Sequence, residues 1–99
     1  MNTFYYFNDE KYKIVVSDET LELTPYTFMK NNQLWENDSI NYFYNQILPT
    51  KNYNIIDVGA QSGLYSLYAK YLPLSIFYSF EPFTPTFDLL NQNIELNNI

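Results

Sequence analysis

The residues best placed to do chemistry are Asp57-Val58-Gly59-Ala60-Gln61-Ser62-Gly63 and, further along, Glu81. The first run holds both glycines of the chain. Apolar Ile55, Ile56 and Val58 mark a strand around its start, and a helical stripe begins at Leu64. In open α/β sheets, ligands bind at the carboxyl ends of strands, where the chain turns into a helix. Gly59 lacks a Cβ, so its backbone can approach a ligand and adopt unusual dihedrals. Gly63 lets the next helix start close to the strand, and the free N–H groups of a helix start attract a negatively charged ligand group. Glu81 closes the following strand, where a carboxylate can accept hydrogen bonds from both hydroxyls of a ribose. Pro82 and Phe83 then lie where an adenine ring would pack. Taken together, loop and carboxylate point to a nucleoside-type cofactor.

The loop also discriminates between cofactors. The dinucleotide fingerprint is Gly-x-Gly-x-x-Gly, and here Gln61 replaces its second glycine, so a pyrophosphate would meet a side chain. Asp57, two residues before Gly59, would repel a pyrophosphate but suits the cationic end of S-adenosylmethionine. The helix end behind the loop could face that cofactor's methionine carboxylate. Both features favour S-adenosylmethionine over a nicotinamide dinucleotide.

The elements that must position these groups follow from apolar spacing. Residues 54–58 read as a short buried strand and 75–80 as a second strand. Leu64, Leu67, Tyr68 and Tyr71 read as a helical stripe between them, closed by Pro73. A last helix is expected with Thr84 as N-cap, Pro85 in its first turn and Phe87, Leu90 and Ile94 facing inward; Asn97 and Asn98 weaken its end. Strand, helix, strand, helix implies a parallel sheet with right-handed crossovers. Before it, residues 4–7 and 12–16 suggest a hairpin around the polar turn at 8–11. Residues 20–24 alternate like a strand that Pro25 ends. Asn37 or Asp38 caps a helix whose stripe is Ile40, Phe43, Tyr44, Ile47 and Leu48, with Pro49 as its stop. The expected division is a β-rich extension over residues 1–34 and a cofactor-binding half-domain over 35–99.

Composition narrows the function. The net charge is −6, with five scattered lysines as the only cations. That argues against a phosphate-tracking nucleic-acid surface and against an anionic membrane. With no Cys and no His, thiolate and imidazole metal sites, disulfides and histidine bases are excluded. The start of the chain lacks a signal-peptide pattern and no apolar run approaches the ~20 residues of a membrane helix, so a cytoplasmic protein is expected.

Residues 54–99 resemble the start of FkbM-type methyltransferases, a branch of the class I S-adenosylmethionine-dependent superfamily. The resemblance rests on Asp57-Val58-Gly59-Ala60-Gln61-Ser62-Gly63-Leu64-Tyr65-Ser66, on Phe80-Glu81-Pro82, and on Leu90-Asn91-Gln92-Asn93-Ile94-Glu95-Leu96-Asn97. One departure is Gln61, where the family usually has Asn. The resemblance implies an α/β, Rossmann-like parallel sheet, truncated after the second core strand and helix. It also implies a methionine pocket built by Asp57, Gly59, Ala60 and Gly63, with Gln61 also counted among the cofactor-binding residues, a ribose contact at Glu81 and an adenine contact at Pro82. The implied activity is methyl transfer from S-adenosylmethionine to an oxygen of a small-molecule acceptor such as a sugar or natural product. No catalytic base and no metal ligand is assigned, and Tyr65 and Tyr68 read as helix packing. An open strand edge invites self-association or pairing with a missing C-terminal half. The alternatives are a non-catalytic nucleoside-binding module and, disfavoured by the loop, an NAD-dependent oxidoreductase fragment.

Overall fold

The computed structural model describes residues 2–7, 12–30 and 37–99, with side chains placed at 15–27, 38–43 and 45–99. The expected turn at 8–11 and the expected division at residues 34 and 35 lie outside the described residues. Strands β1 (Asn2–Phe7) and β2 (Tyr12–Ser17) form an antiparallel pair, with Phe4 opposite Val15 and Phe7 opposite Tyr12. A 3-10 turn, Thr20–Glu22, and helices α1 (Thr24–Lys30) and α2 (Asn37–Gln46) follow. Strand β3 (Asn54–Val58), a 3-10 helix (Ser66–Tyr71), strand β4 (Ile76–Phe80) and helix α3 (Thr84–Leu96) complete the chain. β3 and β4 pair in parallel, Asn54 opposite Ile76 and Val58 opposite Phe80. The described residues form a small α/β domain with two separate two-stranded sheets. Among the described residues no helix is long and apolar enough to cross a membrane.

Several local expectations are corrected. Residues 20–24 are not a strand: the alternation of Leu21 and Leu23 belongs to a 3-10 turn running into α1. Pro25 stands at the start of that helix, where its missing N–H costs nothing, rather than ending a strand. The stripe Leu64, Leu67, Tyr68 and Tyr71 does face inward, but on turns and a short 3-10 helix instead of an α-helix. The helix start behind the glycine loop is therefore that of a short 3-10 helix at Ser66, not that of an α-helix. The N-cap of α3 is Phe83 instead of Thr84, and no side chain caps it; of its expected inward face Leu90 is buried and Ile94 half-buried, whereas Phe87 is exposed. β3 is not buried on both faces, because Ile56 and Val58 are 67% and 81% exposed.

One core joins the two halves of the chain. Val16, Tyr26 and Ile40 pack with Leu64, Leu67 and Tyr68, flanked by Leu21, Leu23, Tyr65, Tyr71 and Ile94. Phe43 of α2 meets Tyr65 edge-on at 5.6 Å and Phe77 of β4 at 6.5 Å, covering the inner face of the parallel sheet. The outer face of that sheet, carrying Ile56, Val58, Ile76, Tyr78 and Phe80, is exposed.

The halves are also sewn together by two buried asparagines of α3, Asn93 and Asn97. Asn97 Oδ1 accepts from the Val15 N–H at 3.0 Å, and its Nδ2 donates to the Val15 carbonyl at 2.8 Å. Asn93 Oδ1 accepts from the Ser17 N–H at 3.3 Å. Four residues of helix advance about 6 Å and two residues of strand about 6.7 Å, so asparagines one turn apart can read alternate residues on the edge of β2. That edge is covered by side-chain amides instead of another strand. Asn97 thus anchors the helix end that the sequence suggested it would weaken.

Asn93→Ala is expected to lower unfolding free energy by about 2 kcal/mol or more, because several buried partners lose their hydrogen bonds together. Urea denaturation measures it, and a loss below about 0.5 kcal/mol would contradict this account of the seam.

Candidate functional site

Parallel pairing of β3 and β4 brings their carboxyl ends side by side, so the chain leaves both strands at one edge of the molecule. The Gly59 and Ala60 N–H groups both donate to the Phe80 carbonyl, at 2.9 and 3.0 Å, which pins the loop to the end of β4. The Gly63 N–H then closes a four-residue turn onto the Ala60 carbonyl at 2.9 Å. From behind, Asn93 Nδ2 donates to the Ser62 carbonyl at 2.9 Å. The loop is held from the strand side and from the helix side.

The two glycines serve different ends. Gly59 has φ +77°, and a Cβ there would meet no protein atom within 4 Å, so its backbone conformation alone asks for glycine. Gly63 has φ +107°, and its Cβ would come within 2.7 Å of Leu90 Cδ1. Leu90 is buried, so Gly63 lets the loop pack against α3; the sequence reading had it admit a helix close to the strand. Gln61 also lies in the left-handed region, at φ +53°. Asn tolerates that region better than Gln does, which gives a physical reason for the Asn that the resemblance places there.

Glu81 bridges loop and strand end. Its Oε1 accepts from the Gln61 N–H and its Oε2 from the Phe83 N–H, both at 3.0 Å. An ionised carboxylate offers about four acceptor sites, so Glu81 is fixed in place with capacity left over. Asp57 is half-buried and anchored differently. Ser66 Oγ donates to Asp57 Oδ2 at 2.7 Å, and Ser66 and Ser79 hydroxyls lie 2.6 Å apart. A hydroxyl carries one proton, so Ser79 donates to Ser66 and Ser66 to Asp57, a relay that aims the carboxylate.

These groups line one cleft of about 660 Å³, within the roughly 300–1,000 Å³ of small-molecule sites. Asp57, Gly59, Ala60, Gln61 and Glu81 all border it. Gly63 and Pro82 do not: Gly63 is turned against Leu90, and Pro82 is exposed outside the cleft while Phe83 takes the wall position. The opposite wall is Leu23, Thr24, Pro25 and Tyr26 from the start of α1, and Ser62, Leu64, Tyr65 and Thr86 complete the lining. The sequence reading missed the α1 wall, which carries no motif. Its only signal was Pro25 followed by a large aromatic, read as the end of a strand.

Tyr26 is 1% exposed and its phenolic oxygen has no hydrogen-bond partner. Burial pushes its pKa well above the ordinary tyrosine value. The Ser62 side chain lies close enough to pull it back slightly, although no hydrogen bond closes between them. A buried unpaired hydroxyl costs about 1–3 kcal/mol. Among the described residues no three carboxylates come together as a metal site would require.

No protein-family model, no curated protein and no solved structure matches this chain.

Substitutions at the loop are expected to sort by cause. Gln61→Gly should raise stability by roughly 0.5–1 kcal/mol by relieving left-handed strain. Gly59→Ala should cost about 1 kcal/mol through backbone strain, and Gly63→Ala more, because crowding against Leu90 adds to it. Thermal melts read the order, and a Gly63→Ala variant as stable as the parent would contradict the packing role.

Proposed function

We propose that this chain is the cofactor-binding part of an FkbM-type, class I methyltransferase with a Rossmann-like core. In this reading it binds S-adenosylmethionine and serves methyl transfer to an oxygen of a small acceptor such as a sugar or natural product. The observation that carries the reading is the meeting of Glu81 with the glycine loop. A carboxylate at the end of β4 is tied by backbone hydrogen bonds to the turn at the end of β3, on the rim of one cleft.

The residues present suit the group. Glu81 keeps acceptor capacity for two ribose hydroxyls. Phe83 is 64% exposed on the cleft wall and offers an aromatic face for an adenine. The sequence reading gave this place to Pro82 and Phe83 together, and of the two Phe83 borders the cleft. Asp57, aimed by Ser66, supplies negative charge for a cationic centre. Gln61, left-handed and without the second glycine of the dinucleotide fingerprint, disfavours a pyrophosphate.

When bound, S-adenosylmethionine supplies an electrophilic methyl group on a sulfonium. The chain's own part is to hold the cofactor's three portions in one orientation, because positioning is the main contribution an enzyme makes to an in-line displacement. Tyr65 borders the cleft but its ring is engaged edge-on by Phe43, and Tyr68 is buried in the core, so neither is assigned as an acceptor-side base. The exposed edge and apolar outer face of the β3–β4 sheet are proposed to be covered by further protein, since parallel strands are ordinarily covered on both faces.

Calorimetric titration with S-adenosylhomocysteine is expected to give micromolar binding. Glu81→Gln should weaken it about tenfold or more, and Glu81→Ala should abolish it. Tighter binding of NAD, or binding indifferent to both substitutions, would overturn the reading. A labelled-methyl assay on a panel of hydroxyl acceptors is expected to show no transfer by the 99-residue chain alone, and measurable transfer would contradict that expectation.

A further inference from the structure

Tyr26 is the large side chain of the cleft that the loop-and-carboxylate reading leaves without a task. It sits in the first turn of α1, fixed there by hydrogen bonds from the Tyr26 and Thr27 N–H groups to the Leu23 carbonyl. Thr27 Oγ1 strengthens the turn by donating to the Leu21 and Leu23 carbonyls at 3.0 and 3.1 Å. Tyr26 is a buried member of the core cluster that also holds Val16, Ile40, Leu64, Leu67 and Tyr68. Few buried polar groups in folded proteins lack a partner, and each calls for a reason. Phenylalanine would fill the same core volume without burying an unpaired hydroxyl.

The position of the phenol supplies that reason. Tyr26 and Ser62 border the same cleft, and Ser62 belongs to the glycine loop. On the proposed reading the loop faces the methionine portion of the cofactor, while Glu81 and Phe83 face its adenosine portion. We propose that Tyr26 is a ligand-contacting residue, its phenolic O–H donating a hydrogen bond to the carboxylate of the cofactor's methionine portion. A neutral phenol is a suitable donor for this purpose. It satisfies one carboxylate oxygen without placing a full positive charge beside the sulfonium. The wall that carries Tyr26 comes from the N-terminal half of the chain, so this half completes the cofactor site as well as the core.

The inference rests on the S-adenosylmethionine reading, and the test separates the two. Wild type and Tyr26→Phe are titrated calorimetrically with S-adenosylhomocysteine and with 5′-methylthioadenosine, which lacks the amino-carboxylate, and both proteins are melted without ligand. Tyr26→Phe is expected to melt at or above the wild-type temperature, since it removes only an unpaired hydroxyl. Its affinity for S-adenosylhomocysteine should fall about tenfold, while its affinity for 5′-methylthioadenosine should stay within about twofold of wild type. Equal binding of S-adenosylhomocysteine by both proteins would overturn the role of Tyr26 and leave the cofactor reading standing. Parallel loss of both ligands would overturn it too, placing the effect outside the carboxylate. A wild type that binds neither ligand would overturn the cofactor reading and this inference with it.

Discussion

The carboxamide of Asn93 ties the end of β2, the 3-10 turn at Thr20–Glu22 and the glycine loop to α3. It is fully buried, accepts from the Ser17 N–H, exchanges hydrogen bonds with the Thr20 hydroxyl and donates to the Ser62 carbonyl. Ser17 also bonds Thr20, through their hydroxyls at 2.8 Å. Because each member of this network is buried, loss of one leaves several polar groups unpaired in a low-dielectric interior. The hairpin, the 3-10 turn that runs into α1 and the glycine loop therefore hold one another in register. The two walls of the cleft, one from each half of the chain, depend on that register.

The site follows from this arrangement by short steps. Parallel pairing places the ends of β3 and β4 together, the Phe80 carbonyl gathers the two N–H groups that begin the loop, and Glu81 reaches back to the turn. Each link is a backbone group meeting a fixed acceptor, so the cleft rim is set before any ligand arrives. Such preorganisation lowers the ordering cost of binding. The left-handed Gln61 and the unpaired Tyr26 phenol work the other way, since both are locally unfavourable in the free chain. Unfavourable groups of this kind tend to cluster at functional sites, and both border the same cleft.

The parts of this fold that the sequence made legible are those governed by apolar spacing and glycine. The hairpin, both parallel strands, α2, α3 and the meeting of the glycine loop with Glu81 could be read directly. The region around Pro25 could not, because Leu21 and Leu23 alternate equally well in a strand and in a 3-10 turn that feeds a helix. The element after Gly63 kept its inward stripe but not its helix type, since an apolar stripe fixes which side chains turn inward more firmly than it fixes the turn they ride on. Asn93 and Asn97 looked like weak helix residues because propensity says nothing about a strand edge waiting one turn away. Tyr26 was hidden for a related reason: among 11 tyrosines, nothing local marks Tyr26 as one whose hydroxyl is buried without a partner.

The central claim is that the Glu81–loop junction is where an adenosyl group is held. Amide chemical shifts followed during titration with S-adenosylhomocysteine test it most directly. The account predicts that the Gln61, Ser62 and Phe83 amides shift together and saturably, while those of Ile56 and Tyr78, on the outer face of the sheet, stay still. Saturable shifts confined to the outer face, or none at the junction at millimolar ligand, would contradict it.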